Sequence, residues 1–162
     1  MNKLSLLGLA LGGFATTLGV AATVTSNLPD NNSANAAQVR IAQAGTPLAQ
    51  ELQGKPVFVE VYASWCPGCR NISKTVKMLE KQYGKTANFV VLDVTDKNTT
   101  KAAEMKANKL GLSDFFMANK SATSTVAIID PATGMVIKQF RNNPNKTDYM
   151  TVLDSAIAQI HK

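Results

Sequence analysis

Two short runs of apolar, largely β-branched residues constrain the architecture most: VFVEVYA (Val57–Ala63) and FVVLDV (Phe89–Val94). Neither alternates cleanly between apolar and polar, so both read as strands covered on two faces. Between them Ile72, Val76, Leu79 and Tyr83 recur at helical spacing, and Gly84 follows as a stop signal. Strands joined through a helix lie parallel, with the helix packed back on the sheet. Thr99–Leu110 predicts a second helix ending at Gly111, and Ser113 is placed to cap a short one carrying Phe115 and Phe116. TVAIID (Thr125–Asp130) and MVIKQF (Met135–Phe140) are two further strands separated only by PATG, which predicts an antiparallel hairpin. A last helix from about Thr147 puts Tyr149, Val152, Leu153, Ala156, Ile157 and Ile160 on one face. VRIA (39–42) and TPLAQEL (46–52) are candidates for an additional strand and a short helix in front. The order predicts an α/β fold with a mixed central sheet and helices on both faces.

The chain has 162 residues, enough for one domain with a real core. With 45% hydrophobic and 17% charged residues it has the balance of a globular protein. The net charge is +6, but the lysines are spread: Lys74, Lys77, Lys81 and Lys85 along one helix, Lys97, Lys101, Lys106 and Lys109 along another. Few aromatics sit among them, which makes them solvated faces and argues against a nucleic-acid partner. At the N-terminus Lys3 is the only charge before Asp30, and the run between them is apolar and rich in Gly, Ala and Thr. Residues 1–36 therefore read as a signal peptide or a membrane anchor followed by an Asn/Ser/Ala linker, with Ala34-Asn35-Ala36 as a possible cleavage site. Residues 37–162 are the folded domain. Either N-terminal reading puts that domain outside the cytoplasm, in a periplasm or a thylakoid lumen.

The only two cysteines lie in WCPGC, Trp65–Cys69. A disulfide across so short a loop constrains little of the unfolded chain, so the pair serves chemistry or is an inert buried pair, for which a strand-to-helix junction is an unusual place. The strand Val57–Ala63 runs out just before it, and the helix begins at about Cys66. At a helix N-terminus, free backbone N–H groups and the positive end of the helix dipole stabilise a thiolate. Pro67 suits the first turn, where its missing N–H costs nothing. Cys69 lies one turn further in. Cys66 is then the attacking nucleophile and Cys69 the resolving thiol. A zinc site needs four N or S ligands, and only His161 is left to join the pair. Covalent haem attachment needs a histidine where Arg70 stands. No metal is expected.

Glu60 stands six residues before Cys66 inside the apolar run. A carboxyl group buried there tends to keep its proton, and beneath Cys69 it would exchange that proton during catalysis. The plainer alternatives are that strand alternation turns Glu60 to solvent, or that Lys55 or another lysine pairs with it.

VFVEVYASWCPGCRNISKTVKMLEKQY followed by FVVLDVTD resembles the thioredoxin family, and most of all its exported or membrane-anchored members in cyanobacteria and chloroplast thylakoids. The resemblance covers about residues 40–160. It implies a thioredoxin fold, thiol–disulfide exchange with protein substrates and no cofactor. It places Cys66 as nucleophile, Cys69 as resolving cysteine, Glu60 at the buried acid, and Trp65, Pro67, Gly68, Thr123 and Ser124 on the substrate surface. Three departures stand out. The dipeptide is Pro-Gly where ordinary thioredoxins have Gly-Pro. The family's potentials span roughly −270 to −120 mV, and the lack of a histidine between the cysteines leans towards a reductant. Such a reductant needs a membrane thiol-transfer partner to supply electrons. Ser124 stands where the family has a cis-proline, so Thr123–Ser124 is expected to be trans. That leaves a more open approach to Cys66, and either a Ser124 hydroxyl bonded to thiolate or substrate or a merely tolerated substitution. The segment Leu110–Ala122 is longer than usual, with Phe115 and Phe116 either core residues or a roof on the groove. Two further functions stay open: a non-catalytic binding or redox-sensing module, and a metal or iron–sulfur carrier joining two copies through their cysteines.

Overall fold

The computed structural model describes residues 45–161. The expected N-terminal signal or anchor, the expected linker and the candidate strand VRIA lie outside the described residues. Four strands, β1 (Val57–Tyr62), β2 (Asn88–Asp93), β3 (Thr125–Ile129) and β4 (Val136–Arg141), form one sheet in the order β2-β1-β3-β4. β1 and β2 are parallel, with Glu60 opposite Val91, while β3 runs antiparallel to β1 and to β4. The sheet is therefore mixed, and the hairpin across PATG is present.

Strand alternation builds two cores. Val57, Val59 and Val61 point to one face, where α2 (Lys97–Leu110) and α3 (Ser113–Asn119) cover them with Ala103, Ala107, Leu110 and Phe116. Phe58 points to the other, where α1 (Pro67–Tyr83) and α4 (Lys146–Ile160) bring Ile72, Leu79, Tyr149 and Leu153. Phe58 stacks on Phe89 at 4.8 Å between ring centres, and Tyr149 closes on Phe140 at 4.3 Å. Phe115 and Phe116 are buried in the first core, and Phe115 also lines a cavity with Leu48, Leu112 and Ile129, away from the cysteines. The lysines of α1 and α2 are exposed. No helix among the described residues is long and apolar enough to cross a membrane.

Local chemistry explains the helix ends. Asp96 caps α2, its Oδ1 accepting from the amides of Asn98 and Thr99, while Thr99 Oγ1 accepts from the Asp96 amide. Gly111 ends the helix at φ 77°, left-handed backbone that glycine adopts without steric cost. Two expected elements differ. Ser113 is the first residue of α3 and not its cap; Leu112, buried in the core, takes the capping position, and the Ser113 hydroxyl donates instead to Asn108 Oδ1 at the end of α2. The helix expected over 46–52 shrinks to a 3₁₀ turn, Gln50–Leu52. The amides of Leu48 and Ala49 are drawn off to the carbonyls of Pro131 and Leu110, which holds the chain ahead of that turn extended.

Candidate active site

The site forms where β1 ends. Between it and α1, Ser64 N–H donates to Thr95 Oγ1 and Trp65 Nε1–H to the Thr95 carbonyl, both at 2.9 Å. Trp65 is 58% exposed yet held in place by these bonds. Cys66 caps α1, its sulfur accepting from the Cys69 amide at 3.1 Å, and Pro67 takes the first helical position. The two thiols are free and both buried, Cys66 at 3% exposure and Cys69 at 1%.

Their environments differ. Burial alone would raise the Cys66 pKa, but donors outweigh it: the Cys69 thiol, the Thr123 hydroxyl and the amides of Cys69 and Gly68 hold it below the ordinary thiol value. Cys69 moves the other way, to about 11, first through burial and then through its hydrogen bond with Cys66. The helix start thus gives two chemically identical side chains opposite shifts.

Glu60 lies beneath them, 5% exposed, on the face shared with α1 and α4. It does not turn to solvent, and the one ion pair among the described residues joins Lys109 and Glu51, so no lysine pairs with it. Burial without a partner raises its carboxyl to about 7. A cavity of about 330 Å³ has Glu60, Cys69, Tyr62, Lys77 and Glu80 in its wall. Burial first, then the charges of Glu60 and Asp148, push the Tyr149 hydroxyl to about 12. That hydroxyl donates to the Asn143 carbonyl at 2.8 Å.

Thr123 and Ser124 face the pair from the start of β3. Thr123 is among the groups that lower the Cys66 pKa. Ser124 lies at φ 63°, its amide donating to the Val61 carbonyl at 2.9 Å and its side chain packed on Gly68. Ser124 is 5% exposed and Cys66 3% exposed, so both lie covered. Sequence reasoning missed two contributors. Thr95 pins Trp65, and nothing in its sequence context announces that. Asn142, at φ 48°, bonds Ser124 and Asn71 beside the loop; the turn-forming run Asn142-Asn143-Pro144 was a signal for it. Among the described residues no cluster of three or more His, Cys, Asp or Glu side chains is arranged to hold a metal.

Comparison with known proteins agrees with this geometry. The chain is similar to the thiol:disulfide interchange protein TxlA homolog of Synechocystis sp., 31% identical over 99 residues that cover 60% of this chain and 54% of that one. It is similar to the thioredoxin-like protein HCF164, chloroplastic, of Oryza sativa subsp. japonica, 44% identical over 55 residues, 33% of this chain and 21% of that one. It is also similar to the thioredoxin-like protein slr1139 of Synechocystis sp., 32% identical over 93 residues, 56% of this chain and 84% of that one. The chain thus spans about half the length of the first of these relatives and a fifth of the second. A family model described as Thioredoxin matches residues 40–130, and with a mixed sheet, helices on both faces and a cysteine pair opening α1, the chain belongs to the thioredoxin family.

Proposed function

We propose that this protein is a thiol–disulfide oxidoreductase that exchanges disulfides with protein substrates outside the cytoplasm, in the reducing direction. The observation that carries the reading is the unequal pair at the start of α1: Cys66 held below the ordinary thiol pKa, Cys69 raised to about 11. The Cys66 thiolate attacks one sulfur of a substrate disulfide, forming a mixed disulfide and expelling the other sulfur as a thiolate. Cys69 gives its proton to the Glu60 carboxylate, which at a pKa of about 7 is poised to take it near neutral pH. The Cys69 thiolate then attacks Cys66 Sγ. The Cys66–Cys69 disulfide forms, and the second substrate sulfur leaves as a thiolate that is protonated on release. Trp65, Pro67, Gly68, Thr123 and Ser124 form the surface against which the substrate backbone docks.

The direction rests on the dipeptide: no histidine stands between the cysteines to favour a strongly oxidising couple. A reductant outside the cytoplasm must itself be reduced, so a membrane thiol-transfer protein supplies its electrons. The apolar N-terminal run supports export or membrane attachment, as does the similarity to a protein described as chloroplastic.

A second reading, a thioredoxin-fold binding or redox-sensing module, draws on one observation: Cys66 is only 3% exposed. Insulin reduction in the presence of dithiothreitol separates the two. Exchange requires that Cys66→Ser abolish the acceleration over dithiothreitol alone; an unaffected rate, or no acceleration by the unaltered protein, refutes it.

A further inference from the structure

Among the described residues, two that are not glycine hold left-handed backbone: Ser124 at φ 63° and Asn142 at φ 48°. L-residues enter this region against a clash between Cβ and the carbonyl, and asparagine tolerates it better than serine. Such strain persists only where the surroundings over-determine it. The two residues are bonded to each other, the Asn142 amide donating to the Ser124 carbonyl at 3.0 Å. Asn142 Oδ1 also accepts from Asn71 Nδ2 at 2.9 Å, which ties them to the first turns of α1.

What they enclose is Gly68. A Cβ on Gly68 would stand 2.6 Å from Ser124 Oγ, 2.9 Å from Ser124 Cβ and 3.3 Å from Asn142 Cγ. A hydroxyl can rotate away from such a contact, but Ser124 Cβ is fixed by a backbone hydrogen-bonded to Val61 and Asn142. While position 124 carries a side chain, position 68 admits only glycine. The glycine of the dipeptide and the serine that faces it are one steric unit and not two independent substitutions.

That contact falls on the peptide that serves the nucleophile. The Cys69 amide, the next along the chain, donates to Cys66 Sγ at 3.1 Å. We propose that Ser124 and Asn142 are positioning residues for Cys66: seated against the bare Cα of Gly68, they hold the peptide that presents the Cys69 amide to the nucleophilic sulfur. This deepens the exchange reading and rests on it, since the sulfur being positioned is the nucleophile of that reading.

The test is a double-mutant cycle over Gly68→Ala and Ser124→Gly, with Ser124→Ala and Asn142→Gly alongside. Two properties are read on the reduced, full chain: the pH profile of Cys66 alkylation and the equilibrium constant of the Cys66–Cys69 couple against glutathione. Gly68→Ala is expected to move the profile to higher pH and to change the equilibrium constant by about threefold or more. Ser124→Gly in the same chain returns both towards the unaltered values, because the new methyl takes the vacated space. Ser124→Ala returns them less, since its Cβ stays in contact. Asn142→Gly keeps the left-handed backbone and loses the tie to Asn71, and moves the profile in the same direction as Gly68→Ala. If Gly68→Ala prevents folding, thermal unfolding followed by circular dichroism replaces the profile: rescue by Ser124→Gly supports the proposal, and no rescue overturns it. Additive effects, or a profile that Gly68→Ala does not move, also overturn it. Failure of the exchange reading looks different: the coupling persists while insulin reduction is indifferent to Cys66.

Discussion

Replacing Glu60 with glutamine should make this protein more stable, by an amount that grows with pH. The side chain is 5% exposed, no lysine neutralises it, and its carboxyl is raised to about 7 from an ordinary 4.5. The folded state therefore holds a proton that the unfolded chain has released, and stability falls as pH rises between those two values. Below 4.5 both states are protonated and the carboxyl costs nothing in charge. Above 7 the full cost is present, which for that difference is about 3 kcal/mol. Contact with the cavity at Cys69 gives the carboxylate some hydration, so about 2–3 kcal/mol is the fairer figure. Glu60→Gln is nearly isosteric and never ionises. Urea unfolding of the reduced protein at pH 4 and pH 9 measures both. The variant should match the unaltered protein within about 1 kcal/mol at pH 4 and exceed it by about 2–3 kcal/mol at pH 9. A gap independent of pH, or a less stable variant at pH 9, would show that the carboxylate has a partner after all and remove the basis for treating it as a proton acceptor.

Other consequences follow for the chemistry. The same Glu60→Gln change should slow the resolving step by roughly a hundredfold or more at neutral pH while leaving the attack by Cys66 almost unchanged; single-turnover kinetics with a disulfide peptide resolves the two steps, and equal slowing of both would count against the assignment. Cys69→Ser should trap mixed disulfides through Cys66, visible as a thiol-sensitive mass increase equal to that of the substrate thiol, whereas Cys66→Ser should trap none. Thr123→Val removes one hydroxyl donor from the Cys66 sulfur at nearly constant shape, and alkylation at pH 7 should fall by roughly three- to tenfold; an unchanged rate would mean that the hydroxyl does not serve the thiolate.

The fold was legible in the sequence because it is written in periodicity. The run around Phe58 is a strand covered on two faces as its pattern predicts, whereas β2 is an edge strand that buries Val90 and Leu92 and leaves Val91 44% exposed, a difference that an apolar run alone does not reveal; Ile72, Leu79 and Tyr83 lie where α1 meets the sheet. The boundaries that moved did so for tertiary reasons: Leu112 entered the core and displaced Ser113 from the cap, and Pro131 and Leu110 claimed the amides ahead of Gln50. The cysteines and Glu60 were legible because their residue types are informative wherever they occur. Thr95 was not, since an ordinary threonine acquires its part only when its loop is folded against Trp65, and the run Asn142-Asn143-Pro144 signals a turn without showing that it folds against Gly68. Ser124 was visible as a departure, but its neighbour was not: the structure, and not the sequence, shows that its side chain meets Gly68.

The inequality of the two thiols is the claim on which the rest depends, and site-resolved alkylation across pH tests it most directly. Reduced protein is pulsed with iodoacetamide at a series of pH values, and the modified cysteine is identified by peptide mass. Cys66 should react first, with a midpoint below that of an ordinary thiol, while Cys69 stays protected until the pH nears 11. Two cysteines titrating together, or Cys69 reacting ahead of Cys66, would contradict the account.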